Sequence, residues 1–162
     1  MFKEASASAE ASLRFIMDVV EVKLLREGAV VPTRGTDASA GVDLYACSET
    51  EIEIPSGKTA MIPTGISMAI PYSYVGLIFA RSSLALREGL APANKVGVID
   101  ADYRGEIFVP IYNQSSQTRR ISPGQRFCQM VILPCLMADF CQVQSLNSTQ
   151  RGSGGFGSTG FQ

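Results

Sequence analysis

Among the side chains able to do acid–base, nucleophilic or metal chemistry, this 162-residue chain has 15 carboxylates, 14 cations, five tyrosines and four cysteines; histidine is absent. That absence removes Ser-His-Asp and Cys-His catalysis and the usual mixed His/Cys zinc sites. Any general base must therefore be a carboxylate, Lys, Tyr or Cys. The cysteines, Cys47, Cys128, Cys135 and Cys141, form no C-x-x-C pair, and three lie within apolar runs. They read as buried, reduced thiols rather than as a disulfide framework.

The remaining chemistry falls into five short clusters. Ala40-Gly41-Val42-Asp43-Leu44 puts one acid in an apolar strand, and Ala80-Arg81-Ser82-Ser83-Leu84 joins a cation and two hydroxyls at a strand-to-helix junction. Free backbone N–H groups at such a junction also favour anions. Gly97-Val98-Ile99-Asp100-Ala101-Asp102-Tyr103-Arg104-Gly105-Glu106 gathers three acids and a tyrosine behind an apolar run. Gly124-Gln125-Arg126-Phe127-Cys128-Gln129 follows a turn, and the stretch Arg151–Gly160 is Gly/Ser-rich with an arginine and a phenylalanine. Taken singly, each has a plain structural explanation: Asp43 satisfying a backbone donor, Arg81 and Arg126 as surface cations, Asp100 and Asp102 in a polar turn, Gln129 as a ladder neighbour. Together they supply donors for phosphates, acids for Mg²⁺ and water, and aromatics for a base and sugar. Two decoys drop out. The overlapping G-x-G-x-x-G patterns at Gly152 and Gly155 have no helix or acid to follow them, and Ser56-Gly57-Lys58-Thr59 has Ile52 where a P-loop needs glycine.

The elements that must position these clusters are short apolar or alternating runs between turn residues: Ile16–Leu24, Ala29–Thr33, Val42–Tyr45, Glu51–Ile54, Thr59–Pro63, Ile66–Ile70, Val75–Ala80, Val96–Ile99, Ile107–Tyr112, Thr118–Ile121, Phe127–Leu133 and Phe140–Val143. Strand-sized runs at roughly 8–12-residue spacing predict an all-β sandwich or barrel. Only Ser82–Arg87 suits a helical turn, and no long repeat is present. The chain is 46% apolar, enough for one domain. Its net charge of −1 argues against a nucleic-acid binder, which needs a basic face. No window approaches a membrane span, and the Ala/Ser-rich start with Glu4 and Glu10 is neither a signal nor a transit peptide, so the expected address is intracellular, cytoplasmic or nuclear. Residues 1–14 read as a disordered tail, 15–144 as the β domain and 145–162 as a flexible arm. In that arm Gly, Ser and Thr make up 11 of 18 positions, too polar to offset ordering by burial alone.

In order and spacing the five clusters resemble the five motifs of the homotrimeric dUTP diphosphatases, the dUTPases, over about Pro32 to Gly160. The resemblance implies a jelly-roll-like distorted barrel and a homotrimer whose active sites are shared between subunits. The implied reaction is Mg²⁺-dependent hydrolysis of dUTP to dUMP and pyrophosphate, which limits uracil in DNA and supplies dUMP for thymidylate synthesis. It implies that Asp100 orients and deprotonates the attacking water and that Asp43 holds waters on the Mg²⁺. Arg81, Ser82 and Gln129 would bind phosphate oxygens, with Ser83 beside them in the substrate site. Asn94 and the backbone through Gly97, Val98 and Ile99 would form a uracil-reading hairpin. Tyr103 would pack on the deoxyribose and leave no room for a 2′-OH. Phe156 would stack on uracil, while Arg151, Gly157, Ser158 and Thr159 close over the substrate from a different subunit than Asp100.

The sequence departs from that pattern at Ser83, where many members have Gly, and at Phe127, Cys128 and Met130, which read as core packing. Arg-Ser-Ser also occurs in the related dCTP deaminases, which makes them the alternative, but those lack the glycine-rich tail and use a Glu as proton shuttle. A trimeric binding module without turnover is a third reading. It is disfavoured because Asp100 and the full tail are present.

Overall fold

Period-two alternation dominates the chain. In the strand Phe108–Asn113, residues Val109, Ile111 and Asn113 turn inward while their neighbours face out. The computed structural model describes residues 19–155. Twelve strands are found there: β1 (Glu21–Leu24), β2 (Thr33–Arg34), β3 (Val42–Tyr45), β4 (Ile52–Ile54), β5 (Thr59–Pro63), β6 (Ile66–Ala69), β7 (Tyr74–Ala80), β8 (Leu90–Pro92), β9 (Gly97–Ile99), β10 (Phe108–Asn113), β11 (Arg119–Ile121) and β12 (Arg126–Pro134).

The architecture is all-β and jelly-roll-like, with every pairing antiparallel. A five-stranded sheet runs β2-β3-β12-β7-β9, a three-stranded sheet β5-β10-β8, and β1-β6 and β11-β4 pair separately. The barrel is not closed, because β2 and β9 remain edges of the large sheet. Between the sheets lies one core that includes Leu44, Ile62, Ile78, Val109, Ile121 and Phe127. The buried polar side chain of Asn113 is fully partnered: it donates to the Ile54 and Gln117 carbonyls at 2.8 and 2.7 Å and accepts from Ser115. No helix among the described residues is long and apolar enough to cross a membrane.

Several sequence expectations are corrected. The run Ala29–Thr33 contributes only its last residue to a strand, and β8 was not expected, since Leu90–Pro92 is short and contains proline. It exists because β10 pairs with it. The run Phe140–Val143 alternates suitably but has no neighbour to pair with, and Phe140 is wholly exposed. The helical turn forms at Ser82 and widens into a π turn over Leu84–Glu88, closed where Gly89 adopts φ 65° and its N–H donates to the Leu84 carbonyl. Of the four cysteines, all are free thiols, but only Cys47 and Cys128 are buried; Cys135 and Cys141 lie exposed beyond β12. The start of the first run, with residues 1–14 and 156–162, lies outside the described residues.

Candidate active site

The sheet order brings three of the five clusters together. β12 lies between β3 and β7, so Gln129 sits opposite Asp43 on one side and Phe79 on the other. Arg81 is the residue after β7, and Ser82 and Ser83 open the helical turn. These residues line a cleft of about 590 Å³. Its floor is a charge cluster: Arg81 Nε lies 2.8 Å from Asp43 Oδ1, and Arg126 Nη1 lies 3.1 Å from Asp43 Oδ2. Arg81 Nη1 also donates to the Arg126 carbonyl at 3.2 Å. Two cations against one acid leave an excess of positive charge in the cleft, which suits an anion. Gln129 Nε2 donates to the Ala80 carbonyl at 3.0 Å, and Gly41 makes room for that side chain, since a Cβ there would stand 2.9 Å from Gln129 Oε1. Burial pushes the nearby Cys128 thiol up to about 12, against the opposing pull of Arg81. It is a protonated packing group and no nucleophile.

A second depression, of about 480 Å³, is lined by Met61, Val98, Ile99, Asp100, Tyr103 and Phe108 among others. Asp100 follows β9 and is exposed, and its carbonyl accepts from the Tyr103 N–H at 3.2 Å. The tyrosine folds back so that its OH donates to the Glu106 carbonyl at 2.9 Å. Gly105 permits this, because a Cβ at that position would come within 2.6 Å of Tyr103 Cζ. The Glu106 carboxylate in turn accepts from the Gly65 N–H at 2.9 Å and pairs with Arg26. Both ends of this loop are therefore tied down.

The expected hairpin from Asn94 to Ile99 is not a two-stranded ladder. β8 pairs with β10 and β9 with β7, and the link between them turns at Lys95, which has φ 67°. Gly97 is buried against Ile78, and neither it nor Asn94 lines either depression. Arg151 sits in a local turn, its Nε donating to the Gly154 carbonyl at 2.9 Å, while Phe156, Gly157, Ser158 and Thr159 lie outside the described residues. The two depressions occupy opposite ends of β7. Ile99 pairs with Gly76, and Arg81 is five positions further on, about 17 Å at roughly 3.4 Å per residue.

Arg126, Met61 and Phe108 are site residues that the sequence reading missed. Arg126 lies within the fourth cluster, but its partner was not visible from the sequence. Met61 and Phe108 are outward-facing apolar residues, 56% and 44% exposed, on strands whose other face is buried. Among the described residues no group of three or more His, Cys, Asp or Glu can hold a metal ion. Asp43 is the carboxylate in the cationic cleft, and one carboxylate with substrate phosphates and water is a donor set that Mg²⁺ commonly uses.

A family profile described as dUTPase matches residues 27–160, a span that carries all five clusters. The chain belongs to the dUTPase family. Two curated relatives carry the name deoxyuridine 5′-triphosphate nucleotidohydrolase. That of Desulfitobacterium hafniense is 48% identical over 131 residues, 80% of this chain and 87% of that protein. That of Syntrophotalea carbinolica is 43% identical over 142 residues, covering 88% and 97%. Among solved structures, the Staphylococcus bacteriophage 80alpha dUTPase with dUPNHPP aligns with a TM-score of 0.82 at 28% identity, covering 89% of this chain and 99% of that one. The dUTPase from phage phi11 of S. aureus aligns with a TM-score of 0.73 at 25% identity, covering 82% and 100%. A dUTPase match of this extent does not favour the deaminase alternative.

Proposed function

We propose that this dUTPase hydrolyses dUTP to dUMP and pyrophosphate at a site assembled between subunits of a homotrimer. The observation that carries the reading is the division of the chemistry into two half-sites. One is cationic and hydroxyl-lined, suited to phosphates; the other offers an exposed carboxylate beside an aromatic wall, suited to a water, a sugar and a base. Neither is a complete site, and about 17 Å along β7 is too far for one carboxylate to serve phosphates held at Arg81 in the same chain. The segment past β12 supports a trimer too, since Leu136, Phe140 and Leu146 project apolar surface that none of the described residues covers.

In this reading Asp100 accepts a proton from water as the water oxygen bonds to phosphorus. The α–β bridging P–O bond breaks and pyrophosphate leaves. Arg81, Ser82, Ser83 and Gln129 hold phosphate oxygens, and Asp43 would hold, through water, a Mg²⁺ ion brought by the nucleotide. That ion would supply charge neutralisation on the triphosphate. Tyr103, braced by Glu106, excludes a 2′-OH. Backbone groups from Asn94 through Gly97, Val98 and Ile99 read the uracil edge, where a cytosine leaves buried groups unpaired. Rejection of the thymine methyl is weaker, about 1–3 kcal/mol. Arg151, Phe156, Gly157, Ser158 and Thr159 complete the site from another subunit and exclude water.

The test is pyrophosphate release with dUTP, dCTP and UTP compared, alongside ammonia release from dCTP. Turnover of dUTP alone, lost on chelation of Mg²⁺, is the expected result. Ammonia from dCTP would replace this reading with a deaminase.

A further inference from the structure

A feature of β12 outside the mechanism above bears on the cationic cleft. The ladder between β12 and β3 slips between Arg126 and Cys128: Arg126 pairs with Tyr45 and Cys128 with the adjacent Leu44. Phe127 is the extra residue, and both it and Cys128 are buried, at 1% and 0% exposure. The extra residue shifts the alternation by one: Arg126 stands opposite Tyr45, which shares a face of β3 with Asp43, the partner of Gln129. Arg126, three residues before Gln129, therefore emerges on the same face as Gln129 and Asp43. In an unbulged strand it would share the face of buried Cys128.

We propose that Arg126, aimed by this bulge, is a positioning residue that holds Asp43 so that Arg81 is free to turn to a bound polyphosphate. The role rests on the dUTP-hydrolysis reading of the cleft. Each Asp43 oxygen has its own guanidinium, Oδ1 with Arg81 and Oδ2 with Arg126. Asp43 is only 12% exposed, whereas the Arg126 side chain is 48% exposed and caps it from the solvent side. If Arg81 were the sole guanidinium partner, its recruitment by phosphates would leave a nearly buried carboxylate with only the waters around a Mg²⁺ ion to compensate it. With Arg126 in place, Asp43 stays compensated while Arg81 is shared. Arg126 also accepts Arg81 Nη1 on its carbonyl, so one residue braces both members of the pair.

The experiment measures binding of dUpNHpp by calorimetry, and kcat and KM with dUTP, in the full-length protein and its Arg126→Gln, Arg126→Lys and Arg81→Gln variants. Arg126→Gln is expected to weaken dUpNHpp binding about tenfold and to raise KM more than it lowers kcat. Lysine keeps the charge but not the forked reach, so Arg126→Lys should lose only about threefold. The losses from Arg126→Gln and Arg81→Gln should not add in the double variant, because both act on Asp43. Arg120→Gln, a cation of β11 paired with Glu51 and Glu53, should leave affinity unchanged. Wild-type affinity in a folded Arg126→Gln protein, or losses that simply add, would overturn the role. If Arg126→Gln fails to fold, Arg126→Lys decides: about threefold weaker binding supports the role and unchanged binding overturns it. Failure of the wild type to bind dUpNHpp would instead sink the dUTP reading.

Discussion

The two half-sites are built differently. The cationic cleft stands on three adjacent strands: its acid, its glutamine and the residue leading to its arginine are tied by backbone ladders, and its charges by ion pairs at 2.8 and 3.1 Å. In the other depression Asp100 and Tyr103 are carried by an edge strand and the turn after it, both exposed, against the outer faces of β5 and β10. Its precision comes from side-chain anchors, the Tyr103–Glu106 hydrogen bond and the Glu106 contacts to Gly65 and Arg26. The contrast suits the two tasks proposed for them. Binding a highly charged chain of phosphates needs fixed positive charge, whereas a base must stay accessible to water and to a substrate delivered from elsewhere.

The largest expected effect falls on the turn-borne half. Asp100→Asn keeps the shape but removes the base, so kcat should fall by at least about a hundredfold while dUpNHpp binding stays nearly intact. Steady-state kinetics and calorimetry check this, and an unchanged kcat would pass the role to Asp102. The next prediction tests whether the halves meet across subunits. Removing Ser145–Gln162 should spare folding and strip most of the turnover. Mixing that variant with Asp100→Asn and allowing subunit exchange should restore activity, since random reassembly gives about one site in four both intact parts. No recovery in confirmed mixed trimers would break the shared-site comparison.

A smaller effect is expected at the anchors. Tyr103→Ala should raise kcat/KM for UTP relative to dUTP by opening space at C2′. Gly105→Ala should act in the same direction, because its Cβ displaces the Tyr103 ring. Competition assays with both nucleotides would show it, and an unchanged ratio in both variants would move the sugar filter elsewhere. The smallest effect belongs to the ladder-built half. Cys128 has its thiol raised from 9.0 to about 12 in the fold, so its burial contributes stability in full below about pH 9. That contribution is lost as pH rises toward about 12, at most about 1.4 kcal/mol per pH unit. Urea unfolding at pH 8 and pH 10 should show a steeper loss for the wild type than for Cys128→Ala; equal losses would remove the thiol from the account.

The strands most legible in the sequence are those with two partners, β10 by its alternation and β12 as a long apolar run. β8 was hidden because three residues ending in proline have no strand signal until β10 supplies the ladder. Phe140–Val143 misled for the opposite reason: its pattern is strand-like, but no strand pairs with it among the described residues. At the site, the resemblance named Asp43 for waters on Mg²⁺ and Arg81, Ser82, Ser83 and Gln129 for the substrate, and the fold brings all five to one cleft. Arg126 passed as a surface cation because a one-residue bulge reverses which face it occupies, and periodicity counted along the chain does not register such a slip.

By itself the sequence determined the available chemistry. With no histidine it excluded His-based catalysis, and its strand-sized apolar runs specified an all-β scaffold, because these follow from residue type and local periodicity; the order of the five clusters carried the dUTPase resemblance. Only the tertiary structure decided which clusters meet. Antiparallel pairing set β12 between β3 and β7 and placed Asp100 at the far end of β7 from Arg81. The physical reason is that strand neighbours are chosen by long-range burial and ladder register, which no local stretch of sequence contains.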